Sequence, residues 1–127
     1  MPLVRIDTSE QNSNDIKNLS SAIHQALIES FGFPENDFFQ IVNVHSNTNK
    51  DFVTFGNYLN VERDEGIVYI QIFLRSGHRE EKKKTFYKKS AFFIQEKTSI
   101  DAKNIFILLS ENNSADWSLG NGEAQYL

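Results

Sequence analysis

The hydrophobic positions of the chain follow two periods, and the order strand, helix, strand occurs twice along the sequence. In the first half, one strand-like run covers residues 3–6 and another covers residues 38–44. Between them, apolar residues recur at helical spacing, at Ile16, Leu19, Ile23, Ala26 and Leu27. Side chains three and four residues apart share one face of a helix, so this segment is predicted to be an amphipathic helix.

The second half repeats this order, with a strand over residues 67–74, a helix over about 79–97 and a strand over 105–109. A shift of 67 residues superimposes four pairs of apolar positions: Leu3 and Ile70, Leu19 and Phe86, Leu27 and Ile94, Phe39 and Phe106. The repeat predicts a duplicated β-α-β unit, about residues 2–44 and 67–109, within one domain spanning 1–127. The expected fold class is α+β, an α/β two-layer arrangement with two helices on one face of a four-stranded sheet.

Turn-forming residues bound the first helix and fill the middle of the chain. Ser13 or Asn14 is the candidate N-cap, because short polar side chains accept hydrogen bonds from the first free amides. Gly32 is a candidate left-handed C-cap, with Pro34 just beyond it. The polar segment 45–66 is predicted to be a long loop with a small hairpin, a kind of segment that is often functional or interfacial.

The strand segments IVYIQIFL and IFILL are apolar on both alternating faces, which is typical of strands covered on both sides. Two helices can cover only one face of the sheet. Leaving Val68, Ile70, Ile72 and Leu74 in water would forfeit about 1.5–3 kcal/mol per side chain. An apolar patch of that size normally marks an interface. The pattern therefore predicts an obligate oligomer.

Composition narrows the classes of function. The net charge of −4 over 127 residues argues against a general nucleic-acid binder, which usually carries a basic surface. Cysteine is absent, so no disulfide or thiol nucleophile is possible. The three histidines, at positions 24, 45 and 78, have no metal-ligand spacing, and no metal site is expected. Without a signal peptide or a membrane-spanning run, a cytoplasmic protein with no membrane partner is expected.

The proline at position 2 has two interpretations. Proline lacks an amide hydrogen and is usually kept to the first residue of a strand or to an edge, and position 2 fits that structural role. Alternatively, aminopeptidases remove a methionine that precedes a small residue, and Pro2 would then carry a free secondary amine. A free α-amine titrates near pH 8, and burial or a neighbouring cation lowers its pKa toward neutrality. Such an amine is suited to proton transfer.

Four segments together resemble the tautomerase superfamily, and most closely the branch that contains malonate semialdehyde decarboxylase. In order they are MPLVRID, FGFPENDFFQ, RSGHREEKKKTFY and ENNSADWSLGNGEAQYL, of which ADWSLGNGEAQ is the most specific. The resemblance covers essentially the whole chain. It implies two β-α-β units around a four-stranded mixed sheet, a homotrimer, and chemistry by an amino-terminal proline without metal or organic cofactor. Pro2 becomes a catalytic candidate.

The resemblance also implies roles for residues of the turn after the second-unit strand. Arg75 matches the first of two arginines found there in the decarboxylase-like branch, and a guanidinium offers a carboxylate two parallel donors. The second arginine position falls on His78, with Arg79 one residue later as a possible substitute. Histidine is only partly charged at pH 7, so a strict decarboxylase assignment loses one of its cations. Pairing of Arg75 with a surface carboxylate is the structural alternative.

Further candidates come from the remaining motifs. Asp37 matches an acid that holds water or substrate, or orients the proline amine; its structural alternative is a turn aspartate that satisfies its own backbone. Trp117, Leu119 and Tyr126, in the C-terminal segment 110–127, match positions that wall the pocket or pack between subunits. Leu119 stands where the resemblance implies an aromatic residue.

Three functions follow as expectations. The first is a tautomerase, an isomerase that moves a proton on a small carbonyl substrate bearing a carboxylate, such as the keto or enol form of a 2-oxo acid. The second is decarboxylation of a 3-oxo acid like malonate semialdehyde. The third, of another class, is a non-catalytic trimer that binds a small acid or a protein partner.

Overall fold

The computed structural model describes residues 2–46, 52–53 and 56–127. Within these ranges the chain forms β1 (Leu3–Ser9), α1 (Ile16–Phe31), β2 (Gln40–His45), β3 (Asn57–Tyr58), β4 (Val61–Glu62), β5 (Val68–Arg75), α2 (Glu80–Lys97) and β6 (Ile105–Asn112). The predicted order of strands and helices is confirmed. Neither helix in the described part of the chain is long and apolar enough to cross a lipid bilayer.

The four long strands form a mixed sheet in the order β2-β1-β5-β6. Each β-α-β unit supplies a parallel pair, and the two units meet where β1 runs antiparallel to β5, with Ile6 opposite Ile70. Parallel neighbours need a crossover connection, which α1 and α2 provide. This arrangement confirms the predicted fold class and brings the start of β1 beside the end of β5.

The core lies between the sheet and the two helices. Side chains from β1 and from both helices are buried there, including Ile6, Leu19 and Phe86. The structure corrects one prediction: the alternate β5 residues expected on the uncovered face are instead buried beneath the helices, namely Val68, Ile70, Ile72 and Leu74. Because β5 is apolar at almost every position, its sequence alone does not tell which alternate set faces the helices.

The other face of the sheet carries a mixture of apolar and polar side chains. Tyr69, Gln71 and Phe73 alternate with the buried set on β5 and are only partly buried. On the neighbouring edge strand β6, Phe106 and Leu108 are exposed by 42% and 51%. Apolar side chains are therefore exposed on this face within the described chain, although they are not the ones predicted.

Local details confirm some turn predictions and correct others. Gly32 ends α1 with φ +74° and donates its amide to Ile28, as a left-handed cap requires. The N-cap of α1 is Asp15, whereas Ser13 and Asn14 lie in a preceding 3₁₀ turn over Glu10–Asp15. Polar residues fill this whole stretch, so composition did not single out the cap.

The repeat and the hairpin show a similar division. The 67-residue shift aligns buried helix positions such as Leu19 and Phe86. It fails in the strands, where Leu3 lies on the open face and Ile70 in the core. The predicted hairpin is present as β3 and β4. Positions 47–51 and 54–55 of the predicted loop lie outside the described residues.

Candidate active site

Pro2 is buried immediately before β1, at the end of the sheet where β5 and β6 finish. Beside it lies an open, largely apolar cavity of about 440 Å³. Its lining comes from the first residues of β1, from β5, and from the segment after β6: Pro2, Leu3, Phe39, Phe73, Asn112, Asp116, Trp117, Ser118 and Leu119. The sheet topology therefore brings both ends of the chain to one cavity.

A second, more polar cavity of about 410 Å³ adjoins the first. It is lined by Phe33, Arg75, Ser76, Gly77, His78, Asn112, Asn113 and Ser114. Asn112 belongs to both linings, so the cavities meet at this residue. Sequence reasoning gave no role to Asn112, Phe39 or Phe73, because their approach to Pro2 depends on pairing between distant strands.

Arg75 ends β5 and lies opposite Asn112 in the parallel register with β6. Its guanidinium carbon is 3.9 Å from the centre of the Tyr126 ring, a cation–π arrangement. Nη1 donates a long hydrogen bond of 3.4 Å to Ser114 Oγ. In the described part of the chain, no carboxylate forms an ion pair with Arg75. The guanidinium is positioned by neutral groups and keeps its charge for an anion.

His78 lies on the second cavity with its ring against two aromatic side chains. The ring centres are 4.7 Å from Phe31 and 5.7 Å from Phe33. Burial lowers the pKa of His78, with Lys82 and Lys83 lowering it further and Glu111 opposing them. The imidazole is therefore held neutral near pH 7, and its site lacks the permanent cation that an arginine would supply.

Arg79 does not take over that role. Its side chain is 79% exposed and its Nε lies 3.8 Å from Glu81. It does not line either of the two cavities. Of the two candidates for the second cationic position, His78 is the residue that lines the site.

The turn carrying Arg75 and His78 is tied to β6 by an ion pair. Glu111 accepts a hydrogen bond of 3.2 Å from the Gly77 amide and pairs with Lys83 of α2. The Lys83 hydrogen bond lowers the pKa of Glu111, and the same contact raises the pKa of Lys83. Gly77 has φ +116°, a backbone conformation that side chains other than glycine rarely adopt. The turn is thus fixed by conformation and by charge.

The C-terminal segment folds back over the site and supplies its wall. A 3₁₀ turn over Ser114–Asp116 follows β6, with Asp116 accepting from the Asn113 amide at 2.8 Å. Trp117 then donates from Nε1 to Asn112 Oδ1 at 2.6 Å. Gln125 accepts from the Leu119 amide at 2.8 Å and so folds the chain end toward Arg75.

Asp37 lies apart from the groups described above. It is half-buried in the connection between α1 and β2, where its amide donates to Pro34 at 3.0 Å. It lines neither of the two cavities. Within the described ranges, no group of three or more His, Cys, Asp or Glu side chains is arranged to hold a metal ion.

Two β-α-β units around a mixed sheet, with a buried proline at the amino end of a central strand, are the architecture of a tautomerase-type protein. Comparison with known proteins agrees. The family model described as "Tautomerase enzyme" matches residues 37–120. The chain is 34% identical to the probable tautomerase YusQ of Bacillus subtilis (strain 168), over 100% of this chain and 99% of that protein. The chain therefore belongs to the tautomerase family.

Solved structures refine the placement within the superfamily. The chain is similar to the FG41 malonate semialdehyde decarboxylase inhibited by 3-bromopropiolate, with a TM-score of 0.88, 30% identity, and coverage of 98% of this chain and 93% of that one. It also matches a fused 4-OT described as a symmetric trimer, with a TM-score of 0.75 and coverage of 95% and 94%. At 16% identity, the latter likeness concerns the fold alone.

Proposed function

We propose that this protein is a cofactor-independent tautomerase whose base is the amine of Pro2, freed by removal of Met1. Its substrate would be a small carbonyl compound with a carboxylate, such as the enol or keto form of a 2-oxo acid. The observation that carries the proposal is the pairing of two adjoining cavities, one containing buried Pro2 and the other containing Arg75. The first suits proton transfer and the second suits a carboxylate.

Each group would have a distinct task. Arg75 would bind the substrate carboxylate, because it is charged at all physiological pH values and forms no ion pair in the described chain. Burial of Pro2 favours its neutral amine, the form that accepts a proton. Trp117 and Leu119 would exclude water and strengthen electrostatic interactions in the cavity. Tyr126 would orient the guanidinium from below. For Asp37 we propose the holding of a water or the orienting of the Pro2 amine in the assembled protein.

The reaction moves one proton. In ketonisation, the Pro2 nitrogen takes the proton from the enol oxygen. The oxygen lone pair then forms the C2 carbonyl while the former double bond takes the proton back from Pro2 at C3. Pro2 returns to its neutral form, and no atom is gained or lost overall.

A second candidate function is decarboxylation of malonate semialdehyde, which the likeness to the FG41 enzyme favours. The neutral His78 argues against it as the main activity, because only Arg75 among the described residues lining that cavity carries a permanent positive charge. His78 would instead contribute a hydrogen bond to the substrate. We therefore rank tautomerisation first.

The proposal extends to assembly and location. We propose a homotrimer in which copies of this chain cover the open face of the sheet, where Phe106 and Leu108 are exposed. The 127 residues would form a single domain, working in the cytoplasm.

The two reactions can be told apart with Met1-free protein whose intact mass confirms the cleavage. We expect phenylenolpyruvate to ketonise well above the buffer rate, followed by ultraviolet absorbance, and malonate semialdehyde to be consumed far more slowly. Preferential loss of carbon dioxide from malonate semialdehyde would reverse the ranking. No rate above buffer with either compound would leave the non-catalytic, acid-binding trimer.

A further inference from the structure

We infer that Asn112 donates a hydrogen bond from its side-chain nitrogen to the C2 oxygen of the substrate, stabilising the negative charge that develops there. The inference rests on the proposed function, because it assigns a further residue to the same reaction. It concerns a residue that the sequence motifs do not single out and that the fold brings between Arg75 and Pro2.

The orientation of the Asn112 amide is fixed by Trp117. An indole Nε1 is a donor only, so the Asn112 atom that receives it at 2.6 Å must be the acceptor oxygen. The Nδ2 group is then directed away from Trp117. In the described chain Nδ2 makes no hydrogen bond, and Asn112 is only partly buried. Two donor hydrogens are therefore available where the cavities meet.

The position of Asn112 matches the order of atoms in the substrate. Asn112 is the last residue of β6, opposite Arg75 in the register. It lines both the cavity with Arg75 and the cavity with Pro2. In a 2-oxo acid the carboxylate, the C2 oxygen and the C3 carbon follow one another. A carboxylate on Arg75 and C3 beside Pro2 would leave the C2 oxygen at the junction, next to the Asn112 amide.

The chemistry needs a donor at that point. When Pro2 has taken the enol proton and has not yet returned it to C3, the electron pair left on the C2 oxygen makes an enolate. A fixed donor aimed at developing negative charge lowers the barrier, and removing one such donor elsewhere costs about 10²–10³ in kcat. Because an enolate shares its charge with carbon, we expect a loss on the order of 10–10² for Asn112.

Three variants separate donation to the substrate from support of Trp117. Asn112→Leu keeps a similar volume and removes both the donor and the acceptor. Trp117→Phe keeps an aromatic wall, removes the indole N–H and leaves the Asn112 amide in place. Asn112→Asp keeps an acceptor for Trp117 and removes the donor, which guards against misfolding of the leucine variant. All three are measured for kcat and KM in phenylenolpyruvate ketonisation, beside wild type and Pro2→Ala.

Our inference predicts that both Asn112 variants lower kcat by on the order of 10–10², and Trp117→Phe by much less. Asn112→Asp should also raise KM, since it adds a negative charge near an anionic substrate. Equal kcat losses in Asn112→Leu and Trp117→Phe, with Asn112→Asp like wild type, would reduce Asn112 to a support for the wall and overturn the inference. Failure of the proposed function would look different, because wild type and Pro2→Ala would then have the same rate.

Discussion

At the scale of single residues, the charge of the polar cavity depends on Arg75. Tyr126 and Ser114 hold the guanidinium without neutralising it. His78, beside it, packs against Phe31 and Phe33, and burial keeps it in the uncharged form. One permanent cation suits one carboxylate, so the residue chemistry favours substrates with a single acidic group near the carbonyl.

The lowered pKa of His78 makes folding stability depend on pH. Above about pH 6.5, histidine is neutral in both the folded and unfolded states, and no proton is exchanged on unfolding. Below that pH the unfolded chain takes up the proton first, because the folded pKa is lower, and stability falls. We expect the unfolding free energy of His78→Phe to fall less than that of wild type between pH 7 and 5.5. The difference cannot exceed about 1.4 kcal/mol per pH unit, the limit for one proton.

Denaturant titrations at several pH values would measure this difference. His24 and His45 titrate in both proteins and cancel in the comparison. Parallel pH dependence in wild type and His78→Phe would contradict a neutral, buried imidazole.

Sequence reasoning could predict the type of each residue in the site but not its neighbours. Arg75, Pro2 and Trp117 were candidates from the motifs that carry them, and the first-cavity position of Trp117 and Leu119 agrees with the expected wall. Asn112 carries no such signal, since an asparagine at a strand end is common in turns. Its place emerges only when β6 pairs with β5 and the chain end folds back.

At the scale of elements, the turn between β5 and α2 is the part whose rigidity matters most. Glu111 of β6 holds both the Gly77 amide and Lys83. In Glu111→Gln, the amide has one acceptor atom and cannot serve both partners, so the turn should loosen. Losing a hydrogen bond worth about 0.5–1.5 kcal/mol should raise KM for the carboxylate substrate by about 3–10-fold, with a smaller effect on kcat.

A matched control is available on the helices. Glu29 of α1 pairs with Lys89 of α2 at 3.0 Å, and neither residue lines the cavities. Glu29→Gln should leave KM within experimental error. If both glutamine variants changed KM equally, the Glu111 contact would be an ordinary surface ion pair.

Element boundaries show why periodicity succeeds for helices and only partly for strands. In α1, apolar residues on one face and polar residues on the other define which side is buried. In β5, apolar residues on both faces leave the burial of Ile70 over Tyr69 to be decided by pairing with β1. The extra residues of β1 beyond Ile6 are polar, including Thr8, which is nevertheless buried and donates to the Ile67 carbonyl at 3.2 Å.

At the scale of the whole molecule, the open sheet face should be the assembly surface. Leu108 is 51% exposed there and Phe92 of α2 is 62% exposed on the helix layer. We expect Leu108→Glu to dissociate the assembly, because it would bury three unpaired charges in a trimer. Phe92→Glu should leave it intact.

Sedimentation or native mass spectrometry would show the difference. Wild type and Phe92→Glu should have about three times the chain mass of 14.6 kDa, whereas Leu108→Glu should have a lower mass. A monomeric wild type, or dissociation by Phe92→Glu alone, would contradict assembly through the sheet.

The most direct test of the central claim compares the two prolines of the chain. Pro2 is buried at the cavity, whereas Pro34 is exposed beyond α1 and provides a matched control for replacement by alanine. The measurement is phenylenolpyruvate ketonisation by Met1-free wild type, Pro2→Ala and Pro34→Ala, each verified by intact mass and thermal unfolding. We expect Pro2→Ala to lose on the order of 10² or more in kcat and Pro34→Ala to retain the wild-type rate. Equal rates in a folded Pro2→Ala would show that the amino-terminal proline is not the base.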